Sequence, residues 1–261
     1  MRILRTMVAA ALLAAPIFAF TLQPAAFAAV EDATKNDTQI LREAHSKLKN
    51  KRFNGVQVAV QSGVITLSGS VKLYADKQDA EKSVAKVKNV VSVVNDIQVQ
   101  AGETSDQQLA DRIGKQLAYD RVGYGNAFNA ITVSVSDGVA TLGGHALGPV
   151  AKESALNLTK RTPGVTNVID KIQVDPLSPM DDQLRRRVAR TVYGYPSLNK
   201  YSLNPANPIR ITVINGHVIL SGVVDNQSDK NVAGIQANTV PGVFSVTNNL
   251  QVAGQPEEKR Q

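Results

Sequence analysis

The sequence predicts an α+β protein of three tandem αββαβ modules, each with two helices packed on a three-stranded mixed sheet. Two observations carry this prediction: a short turn signal occurs three times, and the same apolar spacing surrounds every turn. Asp-Gly and Asn-Gly dipeptides are strong signals for a two-residue β-hairpin turn. The three turns are Ser62-Gly63, Asp137-Gly138 and Asn215-Gly216.

Three strands are predicted in each module from alternating apolar residues. The first strand precedes the turn, with apolar positions Val56, Val58, Val60, then Ile131, Val133, Val135, then Ile209, Ile211, Val213. The second strand follows the turn and is predicted to end at a glycine, which is Gly69, Gly144 or Gly222. The third strand carries Val93, Ile97, Val99, then Val168, Ile172, Val174, then Val246, Leu250, Val252.

Two helices are predicted in each module. The first has an apolar stripe at Ile40, Ala44, Leu48, then Leu109, Ile113, Leu117, then Leu184, Val188, Val192. An aspartate stands three residues before each stripe, at Asp37, Asp106 and Asp181, and its carboxylate is a natural helix N-cap. The second helix lies between the second and third strands, and its C-caps are predicted at Asn89, Gly164 and Gly242.

The N-terminus has the pattern of a secretory signal peptide, assigned to residues 1–28. Arg2 and Arg5 precede a nearly continuous apolar run, and Ala26-Phe27-Ala28 matches the small-x-small cleavage pattern. The modules are then assigned to residues 37–100, 105–176 and 180–252, with a disordered tail at 253–261. Removal of the signal lowers the net charge from +7 to +5. No other stretch approaches the roughly 20 apolar residues of a membrane span.

The sequence contains no cysteine, so it offers neither a disulfide nor a lipidated thiol. We therefore expect a periplasmic or secreted protein that has no transmembrane segment once the signal is removed. The first and third modules carry more Lys and Arg than Asp and Glu, which favours anionic surfaces. Nucleic acid is not the expected partner, because aromatic residues do not alternate with these charges along a strand.

The hairpin motif resembles that of the BON domain, a family named after bacterial osmotically inducible and nodulation proteins. The motif reads Gly63-Val64-Ile65-Thr66-Leu67-Ser68-Gly69 and recurs as Gly138-Val139-Ala140-Thr141-Leu142-Gly143-Gly144 and Gly216-His217-Val218-Ile219-Leu220-Ser221-Gly222. This resemblance implies a non-enzymatic module of envelope proteins, some of which are stress-related and some of which attach to anionic phospholipid. Two features differ: the lipobox cysteine of lipidated members is absent, and three modules replace the more familiar two.

A cluster of arginines is the first candidate binding site, at Arg185, Arg186, Arg187 and Arg190 in the first helix of the third module. Such a face attracts anionic lipid at about 1 kcal/mol per charge. The alternative is a solvated helix face whose arginines pair with Asp181 and Asp182.

The enlarged loops before the first strands of the second and third modules hold the remaining candidates. These are Tyr119, Arg121, Tyr124, Tyr193, Tyr195, Lys200 and Tyr201. Tyrosines with basic neighbours suit a membrane interface, where the ring meets acyl chains and the hydroxyl meets headgroups. The alternative is that these tyrosines pack against the sheet or between modules.

Catalysis is not expected, and no metal or other cofactor is predicted. His45, His145 and His217 fall at non-equivalent positions and match no metal-ligand spacing. The basic helix face and the tyrosine-bearing loops favour a protein that binds anionic phospholipid peripherally, and the BON resemblance implies an envelope protein that serves envelope integrity or osmotic stress protection. A periplasmic protein-interaction scaffold is the alternative.

Overall fold

The computed structural model describes residues 24–120, 127–176, 178–203 and 208–254, with side chains from residue 35 onwards. Three mixed sheets with their helices follow one another along the chain, which confirms the predicted α+β fold class. We call these units the first, second and third modules. Most of the predicted signal segment, and the tail from residue 255, lie outside the described residues.

Each module has the predicted αββαβ order. The first module contains α1 (Pro24–Lys47), β1 (Val56–Gln61), β2 (Val64–Val71), α2 (Tyr74–Val84), β3 (Ser92–Asn95) and β4 (Gln98–Val99). The second contains α3 (Asp106–Tyr119), β5 (Ala130–Ser136), β6 (Val139–Ala146), α4 (Pro149–Lys160), β7 (Asn167–Asp170) and β8 (Gln173–Val174). The third contains α5 (Pro179–Gly194), the short α6 (Lys200–Leu203), β9 (Arg210–Ile214), β10 (His217–Val224), α7 (Gln227–Asn238) and β11 (Ser245–Val252).

The hairpin's second strand is the centre of every sheet. It pairs antiparallel with the first strand and parallel with the third, for example β10 with β9 and with β11. The predicted third strand is continuous in the third module and interrupted in the other two, where it appears as β3 and β4 or as β7 and β8. The second strands run two residues beyond Gly69, Gly144 and Gly222, so the prediction that they end there is wrong.

A glycine is required two residues before the end of the second strand, because two backbone segments approach each other closely there. Gly144 has φ +82, and a Cβ built on it would lie 2.0 Å from the carbonyl oxygen of Ala130. Gly69 has the same relationship to the carbonyl of Gly55. A side chain at either position would collide with backbone atoms that cannot move aside.

The predicted apolar stripes form the core of each module. Ile40 and Ala44 of α1, and Val188 and Val192 of α5, are at most 1% exposed and pack on their own sheets. Burial of this kind supplies the main driving force for folding. Each module therefore has its own apolar core, as a threefold duplication requires.

The prediction that Asp37, Asp106 and Asp181 are N-caps is wrong. Ser105 and Ser178 cap α3 and α5, while α1 begins well before Asp37. The aspartates instead accept two backbone N–H groups from their own hairpin turn, an arrangement that we call the carboxylate clamp. Its bonds run from Ser62 and Gly63 to Asp37 (2.7 and 2.8 Å), from Asp137 and Gly138 to Asp106 (2.7 and 3.0 Å), and from Asn215 and Gly216 to Asp181 (both 2.9 Å).

The predicted C-caps at Asn89, Gly164 and Gly242 are also misplaced. The second helices end earlier, with caps at Ala85, Arg161 and Thr239. The three predicted residues do adopt positive φ angles of 66°, 97° and 94°. They turn the chain into the third strand and do not end the helix.

Neighbouring modules are joined by specific contacts. Tyr74 of the first module packs against the core of the second. The backbone N–H of Ile211, in β9, donates to the carbonyl of Ala127, which precedes β5, at 2.6 Å. The second and third modules are thus linked at the edges of their sheets.

Candidate functional site

Helix α5 presents a cationic face to solvent and an apolar face to the core. Ser178 accepts the N–H of Asp181 and caps the helix, and Pro179 occupies its first turn. The buried positions are Asp181, Leu184, Arg185, Val188 and Val192. The exposed positions include Gln183, Arg186, Arg187 and Arg190, and a spacing of three, four and seven residues brings these four onto one side of the helix.

The exposed arginines line an open groove of about 640 Å³ together with Gln183, Ala189 and Phe128. Within the described parts of the chain, no carboxylate lies within salt-bridge distance of Arg186, Arg187 or Arg190. Asp182 pairs with Arg185, and Asp181 holds the hairpin turn. Among the described residues, neither aspartate pairs with the three exposed arginines, whereas the buried Arg185 does pair with Asp182.

The groove is shared by two modules, because Phe128 comes from the second and α5 from the third. Phe128 follows Ala127, whose carbonyl accepts the N–H of Ile211. That hydrogen bond fixes the segment carrying the ring beside the helix. Three guanidinium groups and one half-buried aromatic ring thus share a single concave surface.

Arg185 does not belong to this surface, although it was predicted with the other arginines. Its side chain is 2% exposed and donates to the carboxylate of Asp182 and to the carbonyl of Val213 at 3.0 Å. A nitrogen of the same guanidinium lies 3.7 Å from Asp175, which belongs to the second module. Arg185 therefore joins two modules and has no access to a membrane surface in this conformation.

Asp175 is a buried charged group at the junction of the second and third modules. Its Oδ1 lies 3.0 Å from Nδ1 of His145, and its side chain is fully buried. Burial raises the pKa of the Asp175 carboxyl, against the lowering effects of the His145 hydrogen bond and the Arg185 charge. The contact gives His145 a structural role within the second module, next to the junction that Arg185 makes with Asp175.

Two of the predicted tyrosines serve packing. The hydroxyl of Tyr193 donates to the carbonyl of Ile209, and burial raises its pKa. Tyr201 is 5% exposed; its hydroxyl donates to Asp229 at 2.7 Å and accepts the N–H of Asp225 at 2.8 Å. For these two residues the packing interpretation fits the structure.

Tyr119 and Tyr195 are the described candidate tyrosines that face solvent, with 61% and 38% exposure. They lie at the ends of α3 and α5, and Tyr195 directly follows the helix that carries the arginines. Arg121 and Tyr124 lie outside the described residues.

Lys200 is engaged by acidic neighbours. Its Nζ lies 2.6 Å from Asp225 and 2.9 Å from Asp229, and it also sits 5.0 Å from the centre of the Tyr201 ring. The hydrogen bonds to Asp225 and then Asp229 raise the pKa of Lys200. Its charge is balanced locally, unlike those of Arg186, Arg187 and Arg190.

Neither a metal cluster nor a membrane-crossing helix is found in the described ranges. No group of three or more His, Asp or Glu side chains there has the arrangement of a metal site. No helix there combines enough length with enough apolar character to cross a bilayer.

The family model of the BON domain matches residues 36–101, 105–176 and 181–254. The chain belongs to the BON family. Osmotically-inducible protein Y of Escherichia coli (strain K12) is 31% identical over 122 residues, which are 46% of this chain and 61% of that protein. The match thus spans about three fifths of the length of this BON relative.

Two solved structures of CdsD, a structural protein of the type III secretion system of Chlamydia trachomatis, also align with the chain. One is described as its C-terminal domain. They are 16% and 15% identical, cover 82% of this chain and 96% and 91% of their own, and have a TM-score of 0.23. At that TM-score the alignments carry no argument about this BON protein.

Proposed function

We propose that this BON protein is a non-enzymatic envelope protein that binds anionic phospholipid peripherally and protects the envelope under osmotic stress. Export is proposed from the signal-like residues 1–28, and the stress role from the relative named for osmotic induction. The single observation that supports lipid binding is the face of α5, where Arg186, Arg187 and Arg190 are exposed without a carboxylate partner among the described residues.

The chemistry of this face suits a phospholipid headgroup. Guanidinium groups donate paired hydrogen bonds to phosphate, and their charge is weakly hydrated, so that transfer to an interface costs less than for lysine. Phe128 in the groove and Tyr195 at the helix end offer aromatic surface at the level where headgroups meet acyl chains. Arg185, Tyr193, Lys200 and Tyr201 are not part of the proposed contact.

The test is sedimentation with liposomes of phosphatidylglycerol in phosphatidylcholine, compared with phosphatidylcholine alone. The variant Arg186→Gln/Arg187→Gln/Arg190→Gln removes three charges, and at about 1 kcal/mol each its affinity falls about a hundredfold. The control Lys82→Gln/Lys86→Gln/Lys88→Gln removes the same charge from exposed positions of the first module and keeps most of the affinity. Equal losses in both variants, or no preference for the anionic liposomes, would contradict the proposal.

A protein-interaction scaffold is the second candidate, and one observation favours it. Met180 and Phe244 of the third module are 81% and 77% exposed, so both offer apolar contact area to a protein partner. The test is a pull-down from envelope extract with the wild-type chain and with a Met180→Ser/Phe244→Ser variant. Recovery of one stoichiometric partner by the wild type, and loss of that partner from the variant, would favour this function if liposomes retain neither protein.

A further inference from the structure

The outer edge of β9 is covered by contacts from elsewhere in the chain. An edge strand presents unpaired N–H and C=O groups, which other chains can pair with unless something covers them. In β9 the N–H of Ile211 donates to Ala127, and the carbonyl of Val213 accepts from Arg185. Just before the strand, the carbonyl of Ile209 accepts from the hydroxyl of Tyr193. Three successive outward positions are therefore occupied.

The equivalent edge of β1 carries no such cover within the described residues. The two-residue turn makes Gln61 and Val64 the closing pair of the hairpin, so the backbone groups of Val56, Val58 and Val60 point away from β2. These are the positions equivalent to Ile209, Ile211 and Val213. No hydrogen bond from a described residue reaches them, and the loop that leads from α1 into β1 is short.

Strand β1 also lacks the features that normally block edge pairing. Its sequence Val-Gln-Val-Ala-Val-Gln has no charge, no proline and no bulge. β5 differs, since its beginning lies against the third module, where Ile131 and Arg210 line one small cavity. Among the first strands of the three modules, β1 is therefore the one whose outer edge no described residue covers.

The edge is complementary to a second copy of itself in antiparallel orientation. Centred on Val58, two copies place Val58 opposite Val58 and Val56 opposite Val60, which allows up to about six backbone hydrogen bonds. The exposed Lys49 and Lys51 precede the strand, and the Asp37 carboxylate lies at its hairpin end. Antiparallel pairing brings the lysines of one copy towards Asp37 of the other, whereas parallel pairing would bring lysines together.

We propose that the protein forms a two-fold symmetric dimer in which β1 pairs antiparallel with β1 of a second copy. The two first-module sheets then become one continuous sheet with the helices of both copies on the same side. The contact uses one patch on each subunit, as a closed two-fold interface requires, and leaves the arginine face of α5 free.

The first test is the molar mass of the purified protein by sedimentation equilibrium up to about 100 µM, a range that detects micromolar dissociation constants. The wild type is expected to reach twice the monomer mass. Val58→Pro removes an outward N–H without breaking the ladder to β2 and is expected to be monomeric. Val133→Pro, the same change at the equivalent position of β5, remains dimeric. A monomeric wild type, or a dimeric Val58→Pro, would overturn the proposal.

Circular dichroism is used to check that Val58→Pro is folded. Ala59→Lys is the second variant, because Ala59 is exposed and a lysine there opposes edge pairing without touching the core. It too is expected to be monomeric, and a dimeric Ala59→Lys would count against the proposal.

The register is tested with engineered cysteines, since the chain has none of its own. The proposed pairing places Gln57 of one copy opposite Ala59 of the other. Mixing Gln57→Cys protein with Ala59→Cys protein under mild oxidation is therefore expected to give a crosslinked heterodimer in higher yield than either protein alone. Equal yields in all three samples would overturn the antiparallel pairing centred on Val58.

Discussion

The carboxylate of Asp181 accepts the backbone N–H of Gly216 at 2.9 Å, across 35 residues of sequence. A second bond of the same length reaches Asn215, so a residue in the first helix holds both amides of the hairpin turn. Asp37 and Asp106 do the same in the other modules. The carboxylate clamp fixes the first helix to the hairpin in all three copies.

Replacement of Asp181 by alanine is expected to lower the free energy of unfolding of the third module by about 3 kcal/mol. The change removes two charge-assisted hydrogen bonds and leaves the buried N–H of Gly216 without its acceptor. Asp181 is 5% exposed, whereas Asp37 is half-buried. Asp37→Ala should therefore cost less. Urea denaturation measures both values, and a larger loss for Asp37→Ala would contradict the explanation.

Neighbouring arginines of α5 are expected to differ sharply in their effect on stability. Arg185→Ala leaves Asp175 buried without its nearest guanidinium, and breaking such a pair costs about 3–5 kcal/mol. Arg186→Ala changes an exposed side chain and should stay within about 0.5 kcal/mol of the wild type. Thermal unfolding of the two variants is the measurement, and similar losses would show that Arg185 does not join the modules.

The stability of the junction should depend on the ionisation of Asp175. Burial raises the pKa of its carboxyl above the unfolded value of about 3.9, so the folded state binds the proton more tightly. The stabilisation that comes from this tighter proton binding is then fully present below the pKa of Asp175 in the unfolded chain, and it is lost as pH rises through the pKa of Asp175 in the folded protein.

The variant Asp175→Asn isolates this effect, because an amide oxygen can still accept a hydrogen bond from His145. Relative to the wild type, the variant should gain stability as pH rises from about 4 to 7. Urea denaturation of both proteins at several pH values gives the difference between their free energies of unfolding, and the contributions of the other carboxylates cancel in that difference. A difference that does not change with pH would contradict the raised pKa.

Tyr201→Phe is expected to destabilise the third module by about 2 kcal/mol, since the lost hydroxyl bridges Asp229 and the N–H of Asp225 inside the core. Tyr195→Phe is the matched control, because Tyr195 is partly exposed. Its unfolding midpoint should not move. Equal midpoints for both variants would mean that the Tyr201 hydroxyl makes no net contribution.

The sequence by itself was sufficient for the fold class, the order of elements and the threefold repeat. Hairpin turns and strand alternation depend on neighbouring residues, and the same short-range pattern occurred three times. The caps were misplaced because an aspartate before an apolar stripe looks like an N-cap. Ser105 and Ser178 were competing caps that could have freed Asp106 and Asp181 for another role.

Only the tertiary structure decided which candidate side chains face solvent. Arg185 and Arg186 are adjacent, but one residue turns an α-helix by about 100°, and this rotation sends one into the junction and the other into the groove. The two tyrosines also differ, since Tyr201 is buried in the core and Tyr195 lies at the surface. Charge and residue type are local properties, whereas burial depends on which distant segments of the chain pack together.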